Sequence, residues 1–224
     1  MPIFAMCWQS EKKDDMINNL IFDLDGTLYP YSQAVEANVD QKIKEFFCRR
    51  LNLTMPQVEK LMSDVRAQGR YEADIVESEF GISISEFIED ICDVYVGMLE
   101  PNPQLAEILS RLPQHKFIFT DSTKKHVADV LKQVCVPANL FDKVIDTGSI
   151  DYQFKYDNGS FNKFFALTGI KPEESIIFED SRTNIKNAKA AGLSTVLIAP
   201  ADSAACAAAD YRFADITTAL SSLF

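Results

Sequence analysis

From about residue 100 onward, the sequence alternates between short apolar runs and segments whose apolar residues recur at helical spacing. The apolar runs include KFIFT (116–120), SIIFED (175–180) and STVLIA (194–199), each the length of a single strand. Strands that alternate with helices along a chain are typical of a parallel sheet covered by helices on both faces. The sequence therefore predicts an α/β fold with such a sheet at its centre.

One further strand-like run, residues 18–23, is separated from the others by a long block with almost no strand signal. Within the block, AVEANVDQKIKEFFCRRLNL (34–53), TMPQVEKLMSDVRAQG (54–69) and SISEFIEDICDVYVGML (83–99) carry apolar residues at i, i+3, i+4 and i+7. This spacing is the pattern of amphipathic helices. We therefore predict at least three helices between the first strand and the second.

These patterns divide the chain into two folded parts. Residues 18–31 and 100–224 are predicted to form one α/β core, and residues 32–99 an all-helical domain inserted after the first strand. Residues 1–17 are predicted to be a tail, because they lack the basic start and long apolar stretch of a signal peptide.

Charge and composition exclude several classes of partner. The 33 acidic and 22 basic residues give a net charge of −11, which argues against binding a nucleic-acid polymer but not against a small phosphorylated substrate. No apolar run approaches the roughly 20 residues needed to span a bilayer. The five cysteines are scattered without a CxxC pair, which favours reduced thiols in a cytoplasmic protein.

Polar residues follow four of the predicted strands. In chain order they are Asp23 and Asp25, Thr120 and Asp121, Asp146, and Glu179 and Asp180. Ligands bind at the carboxyl ends of the strands in open α/β sheets, so we expect these side chains to converge. Converging carboxylates repel one another unless a cation joins them, and oxygen ligands of this kind suit Mg²⁺. Lys155, in a loop before a predicted helix, supplies the one evident positive charge at this edge, and the set is suited to phosphoryl transfer.

Four stretches resemble, in order, the motifs of the haloacid dehalogenase (HAD) superfamily. FDLDGTLY (22–29) resembles motif I, FIFTDS (117–122) resembles motif II, and Lys155 stands at the position of the motif III lysine. IIFEDSRTNIKNAKAAG (176–192) resembles motif IV with the helix behind it. The resemblance covers nearly the whole chain from about residue 18. It implies a HAD-type phosphatase with a Rossmann-like parallel sheet and an all-helical cap inserted after the first strand.

The resemblance also implies catalytic roles. Asp23 would be the nucleophile that forms an aspartyl-phosphate intermediate. Asp25 would be the general acid and base, which protonates the leaving oxygen and then activates water. Thr120 and the backbone N–H of Asp121 would bind phosphate oxygens. Lys155 would neutralise the nucleophile and the phosphate.

Mg²⁺ is the cofactor that the resemblance implies. Its ligands would be the side chain of Asp23, the backbone carbonyl of Asp25, and Asp180, with Glu179 beside them. Asn184 would orient these acids from behind.

Two positions depart from the family pattern. Motif II usually reads Thr-Asn, and Asp121 replaces the Asn, which brings an additional carboxylate toward the phosphate. The motif III lysine is often followed by Pro, and here Tyr156 follows Lys155. Lys124 and Lys125 remain possible substitutes for that lysine.

Within the superfamily, three features look most like the pyrimidine 5′-nucleotidase branch. They are the Tyr-Pro after FDLDGTL, the all-helical insertion, and the Asp-Tyr pair before the motif III lysine. This finer resemblance implies a nucleoside 5′-monophosphate as substrate, with Arg66, Arg70 and Tyr71 as candidate contacts from the cap. The alternative for these three residues is a solvated helix face.

Several functions are compatible with these residues. The first is a Mg²⁺-dependent phosphatase acting on a small phosphomonoester, and the others are a phosphomutase, a dehalogenase or a catalytically weak binding or regulatory protein. A dehalogenase is disfavoured because its chemistry uses neither an acid at position 25 nor Mg²⁺. A sugar phosphate is the alternative to a nucleotide as substrate, and the protein is expected to be a monomer or homodimer.

Three further polar residues are predicted to have structural roles. Asp146 is interpreted as a turn residue, because Asp commonly stabilises turns. His115 and His126 have no clustered partner in the sequence and are predicted to be surface histidines without a catalytic role.

Overall fold

The structure, a computed structural model, describes residues 17–92, 96–157 and 159–224 of the 224-residue chain. Its strands are β1 Asn19–Phe22, β2 His115–Phe119, β3 Lys143–Ile145, β4 Ser175–Glu179, β5 Ser194–Ile198 and β6 Tyr211–Phe213. They form one sheet in the order β3-β2-β1-β4-β5-β6, and every neighbouring pair is parallel. The predicted α/β class is confirmed.

Four helices separate β1 from the remainder of the core. They are α1 Gln33–Leu51, α2 Met55–Ala67, α3 Glu72–Val76 and α4 Ile84–Ile91, and together we call them the cap. Three were predicted, although α4 ends earlier than expected, and the five-residue α3 was not foreseen. The predicted tail, apart from its last residue, lies outside the described residues.

The later helices cover the sheet. They are α5 Pro103–Arg111, α6 Lys124–Gln133, α7 Ser160–Thr168, α8 Arg182–Ala190 and α9 Ile216–Leu223. Within the described ranges, no helix is long and apolar enough to cross a membrane.

The middle strand β1 shows why this part of the sequence is uniformly apolar. All four of its residues are buried, and it lies between β2 and β4. Leu20 and Phe22 belong to the hydrophobic cluster on one face of the sheet, whereas Ile21 belongs to the cluster on the other. Strands covered on both faces read as continuous apolar runs. The buried strand therefore directs the residues that follow it to the edge of the sheet.

The cap has a hydrophobic core of its own. Phe46, Phe47 and Phe87 pack edge-on or tilted at its centre, with ring centroids 5.1–5.9 Å apart. Phe154, from the loop before α7, is buried in the same cluster, and Tyr156 packs against it. The cap is therefore joined to the α/β core through the two residues that flank Lys155.

Candidate active site

A buried ion cluster lies at the carboxyl edge of the central strands. Asp23 follows β1, Glu179 ends β4, and Lys155 reaches them from the loop before α7. The Lys155 ammonium donates to Asp23 Oδ1 and, over 2.7 Å, to Glu179 Oε2. All three side chains are buried, and although burial opposes the charged ammonium, the two carboxylates hold the pKa of Lys155 well above its usual value. Buried charges persist in folded proteins when they are paired in this way.

The acids around Lys155 carry more negative charge than one ammonium can balance. Carboxylate oxygens of Asp23, Glu179 and Asp180 lie within 4.8 Å of one another. Burial and the charge of Glu179 raise the pKa of Asp23 well above its usual value and that of Asp180 to about 8. Clustered oxygen ligands with surplus negative charge match what Mg²⁺ requires, so these residues fit the cofactor that the sequence predicted.

Gly26 makes the close approach of the loops after β1 and β4 possible. Its φ is +83°, in the region that favours glycine. A Cβ at this position would overlap the carboxylate of Asp180. The Gly in the DxDG pattern is therefore required both by the turn after β1 and by the packing of that turn against the predicted metal ligand.

Among the residues that the structure describes, the side chains of His126, Ser122 and Tyr29 orient Asp25. His126 Nε2 lies 2.8 Å from Asp25 Oδ1, the Ser122 hydroxyl donates to Oδ2 over 2.6 Å, and the Tyr29 hydroxyl donates to Oδ1. Burial alone would raise the pKa of Asp25, but the hydrogen bond and charge of His126, with the two hydroxyls, bring the pKa well below its usual value.

The prediction that His126 is a surface residue is wrong. Its side chain is fully buried, in contact with Asp25. The helical spacing of α6 could have indicated that His126 is buried, because His126 lies on the same inner face of the helix as the buried residues Val127 and Val130. His115, in contrast, is exposed beside Asp142, as predicted.

The departure at Asp121 has a structural explanation. Asp121 Oδ1 accepts a hydrogen bond of 2.9 Å from the backbone N–H of Lys155, so its carboxylate fixes the loop that carries Lys155 before α7, which we call the lysine loop. Burial raises its pKa to about 6, although the charge and backbone N–H of Lys155 act in the opposite direction. Thr120 is fully buried, and its hydroxyl accepts from the backbone N–H of Ser122 over 3.1 Å.

The lysine loop has a second anchor that the sequence analysis did not single out. The side-chain amide of Asn187, on α8, donates to the backbone carbonyls of Lys155 (3.0 Å) and Tyr156 (2.9 Å). The possible substitutes for Lys155 lie elsewhere. Lys124 is paired with Asp146 at 3.8 Å, and Lys125 is paired with Asp129 at 2.8 Å.

Asp146 has the turn role that was predicted for it. Its carboxylate accepts hydrogen bonds from the backbone N–H groups of Ser149 (3.2 Å) and Lys124 (3.3 Å). It therefore stabilises the turn after β3 and the start of α6.

A cavity of about 320 Å³ lies between the cap and the loops that follow β2 and β4, and we call it the cap–core cavity. Tyr71 and Asn184, two of the predicted site residues, contribute to its lining. The guanidinium of Arg66 instead pairs with Glu72 and Asp40, and that of Arg70 pairs with Glu79. Of the three cap candidates, the structure brings Tyr71 to the cavity and engages both arginines within the cap.

Comparisons with known proteins identify the family. Residues 20–198 match the family model of haloacid dehalogenase-like hydrolases. No curated protein sequence is significantly similar to the chain.

Many solved structures share the fold, and three of them illustrate the range of similarity. A HAD phosphatase from Thermococcus onnurineus is 21% identical with a TM-score of 0.64, and the alignment covers 92% of this chain and 97% of that one. The HAD hydrolase YfnB from Bacillus subtilis, bound to magnesium, is 16% identical with a TM-score of 0.62, over 92% and 98%. L-2-haloacid dehalogenase from Xanthobacter autotrophicus is 17% identical with a TM-score of 0.56, also over 92% and 98%.

The three neighbours include a phosphatase and a dehalogenase, so the shared fold does not by itself select a reaction. The family, in contrast, follows from the sequence match, which extends from β1 to the end of β5. The chain belongs to the haloacid dehalogenase-like hydrolase family.

Proposed function

We propose that this hydrolase is a Mg²⁺-dependent phosphomonoesterase that works through an aspartyl-phosphate intermediate on Asp23. The main observation in support of the proposal is that two carboxylates two residues apart in the sequence have different surroundings. Asp23 contacts a buried ammonium, that of Lys155, whereas Asp25 is held by three hydrogen-bonding side chains. The ammonium beside Asp23 suits a nucleophile that faces an anionic phosphate, and the hydrogen bonds around Asp25 fix the position of a group that transfers protons.

In the first step, an Asp23 oxygen attacks phosphorus, the bond to the leaving oxygen breaks, and Asp25 gives that oxygen a proton. The negative charge of a bound phosphomonoester raises the pKa of Asp25, so that this carboxyl can be protonated in the complex. In the second step, Asp25 accepts a proton from water, whose oxygen attacks phosphorus and displaces Asp23. Lys155 balances the charge on Asp23 in both steps.

Mg²⁺ would be held by Asp23, Asp180 and the backbone carbonyl of Asp25, with Glu179 beside them. When bound, it would neutralise charge on the phosphoryl oxygens. A dehalogenase has no corresponding use for a proton carrier held as Asp25 is held.

For the substrate, we propose a nucleoside 5′-monophosphate, following the resemblance to the pyrimidine 5′-nucleotidase branch. Tyr71, one of the residues proposed from that resemblance, lines the cap–core cavity. A sugar phosphate is the alternative, and a phosphomutase would use the same catalytic residues.

Phosphate release from a panel of nucleoside monophosphates and sugar phosphates, with and without Mg²⁺, tests the proposal. We expect turnover that requires Mg²⁺. Asp23→Asn should lower kcat by about 10⁴-fold or more, as loss of a nucleophile does, while circular dichroism remains that of the folded protein. The exposed Asp202→Asn is the matched control and should retain full activity.

Two results would contradict the proposal. One is a folded, Mg²⁺-loaded protein that turns over no member of the panel, which would favour a binding or regulatory role. The other is an Asp23→Asn variant that keeps its activity.

A further inference from the structure

One residue that lines the cap–core cavity, Ser122, is hydrogen-bonded to Asp25, the group that is proposed to protonate the leaving oxygen. Asp121, Ser122 and Ser181 form part of the floor of the cavity. A phosphomonoester attacked by Asp23, with its leaving oxygen at Asp25, would extend its leaving group into this space. At about 320 Å³ the cavity is near the lower end of the roughly 300–1,000 Å³ of small-molecule sites.

One wall of the cavity is a stack of three aromatic rings. Tyr156 lies in the middle, with the ring of Phe154 parallel to it at a centroid distance of 5.2 Å and that of Tyr71 at 4.4 Å. The Tyr156 hydroxyl donates to Asp74 over 3.0 Å, which fixes the ring against the cap. Apolar side chains of α4, among them Ile88 and Ile91, form another wall. Such walls favour a flat apolar group.

The charged residues that line the cavity within the described part of the chain are all acidic. Glu72 and Asp121 are its ionisable carboxyls, and none of its lining residues in the described ranges is a lysine or arginine. Glu72 is paired with Arg66, whose guanidinium also contacts Asp40 and lies at a different surface cavity. A second anionic group on the leaving group would lose its hydration here without gaining a cation, which is costly.

We propose that the cap–core cavity is the leaving-group site and that it selects phosphomonoesters whose leaving group carries one uncharged aromatic ring. It disfavours substrates with a second phosphate. The inference rests on the proposed phosphatase function and deepens it, because it separates aromatic monophosphates from sugar bisphosphates and from the bisphosphate intermediates that a mutase must rebind.

Three alkyl phosphates with comparable leaving oxygens test the selection. We expect kcat/KM for 2-phenylethyl phosphate to exceed that for glycerol 3-phosphate by about tenfold or more, a ratio equivalent to about 1.4 kcal/mol. The kcat/KM for fructose 1,6-bisphosphate should be about 100-fold below that for 2-phenylethyl phosphate, because the second phosphate would lose hydration without gaining a cation. Equal values for all three, or a preference for the bisphosphate, would overturn the inference while leaving phosphatase function intact. Failure to release phosphate from all three compounds and from every nucleoside monophosphate and sugar phosphate of the panel would instead contradict the proposed function.

A matched pair of variants on α4 tests the role of charge. Ile91 lines the cavity and Ile84 does not, and both are half-buried on the same helix. Ile91→Lys should raise the ratio of bisphosphate to 2-phenylethyl phosphate turnover by about tenfold, whereas Ile84→Lys should leave it unchanged. An Ile91→Lys protein that folds and keeps the turnover ratio of the unchanged protein would contradict the inference. If that variant fails to fold, the comparison of the three substrates in the unchanged protein tests the inference by itself.

Discussion

The carboxyl edge of the sheet and the cap differ in where their charged side chains lie. At the edge, the Lys155 side chain is 1% exposed and contacts two carboxylates, both buried. In the cap, ion pairs such as Lys60–Asp64 lie on the outer surface, where these two side chains are 76% and 57% exposed. The cap interior is instead aromatic and aliphatic.

The difference indicates which charges have a function. An exposed ion pair contributes little to stability and places few demands on its surroundings. A buried cluster costs desolvation energy, and an apolar replacement of the whole cluster is often as stable. The cluster around Lys155 is therefore better explained by chemistry than by stability.

Removal of the buried ammonium should have the largest effect. Lys155→Met leaves the carboxylates of Asp23 and Glu179 facing each other, and we expect the free energy of unfolding at pH 7.5 to fall by roughly 3–5 kcal/mol. Phosphatase activity should be lost as well. Urea unfolding followed by circular dichroism measures the change in stability.

The exposed pair supplies the control for that experiment. Lys60→Met removes one partner of a surface pair on α2, and the free energy of unfolding should fall by about 0.5 kcal/mol or less. If the free energy of unfolding fell by similar amounts in Lys155→Met and Lys60→Met, the buried cluster and the exposed pair would not differ in their contribution to stability.

The second prediction concerns the two histidines. His126→Gln keeps a polar side chain but removes the ring nitrogen that contacts Asp25. We expect kcat to fall by about 100-fold for alkyl phosphates, the lower limit of what acid–base catalysis contributes. The loss should be smaller for p-nitrophenyl phosphate, because its leaving group needs no proton.

His115→Gln is the matched control for the histidine experiment, since His115 is exposed at the start of β2. It should retain full activity. A His126→Gln enzyme that loses the same factor with both kinds of substrate would show that His126 supports folding of the site rather than the orientation of Asp25.

The sheet and its catalytic edge could be predicted because both depend on local patterns. Short apolar runs specify buried strands, and the residue after each strand must lie at one edge when the strands are parallel. Asp23, Thr120 and Glu179 were predicted in this way, and the structure places each of them at that edge. Lys155 was predicted as the one evident cation near this edge, from a loop before a helix, and the family resemblance supports the same residue.

The contacts within the site depend on packing across distant segments. The contact between His126 and Asp25 joins α6 to the turn after β1, and the stacking of Tyr71 on Tyr156 joins the cap to the lysine loop. Neither has a sequence pattern of its own. The same holds for the hydrogen bond between Asp121 and the backbone of Lys155, which neither the position of Asp121 after a predicted strand nor its departure from the family motif predicted.

Asp121 gives the last and smallest prediction, because it contributes a half-buried carboxyl between the cavity and Lys155. Its pKa rises from the usual 3.8 to about 6 through burial, so the folded state binds a proton more tightly than the unfolded state. The free energy of unfolding therefore falls as pH increases from about 4 to 6, and the loss persists above pH 6.

Asp121→Asn removes this ionisation and keeps an acceptor oxygen for the backbone N–H of Lys155. The full shift corresponds to about 3 kcal/mol, but a neutral acceptor bonds the N–H less strongly, so we expect a gain of about 1–2 kcal/mol at pH 8. At pH 3.5 the variant and the original chain should be nearly equal in stability. Urea unfolding at the two pH values measures the difference. A variant that is less stable at pH 8 would show that the Asp121 carboxylate is retained for its bond to the lysine loop, and that buried charge at this edge also serves stability.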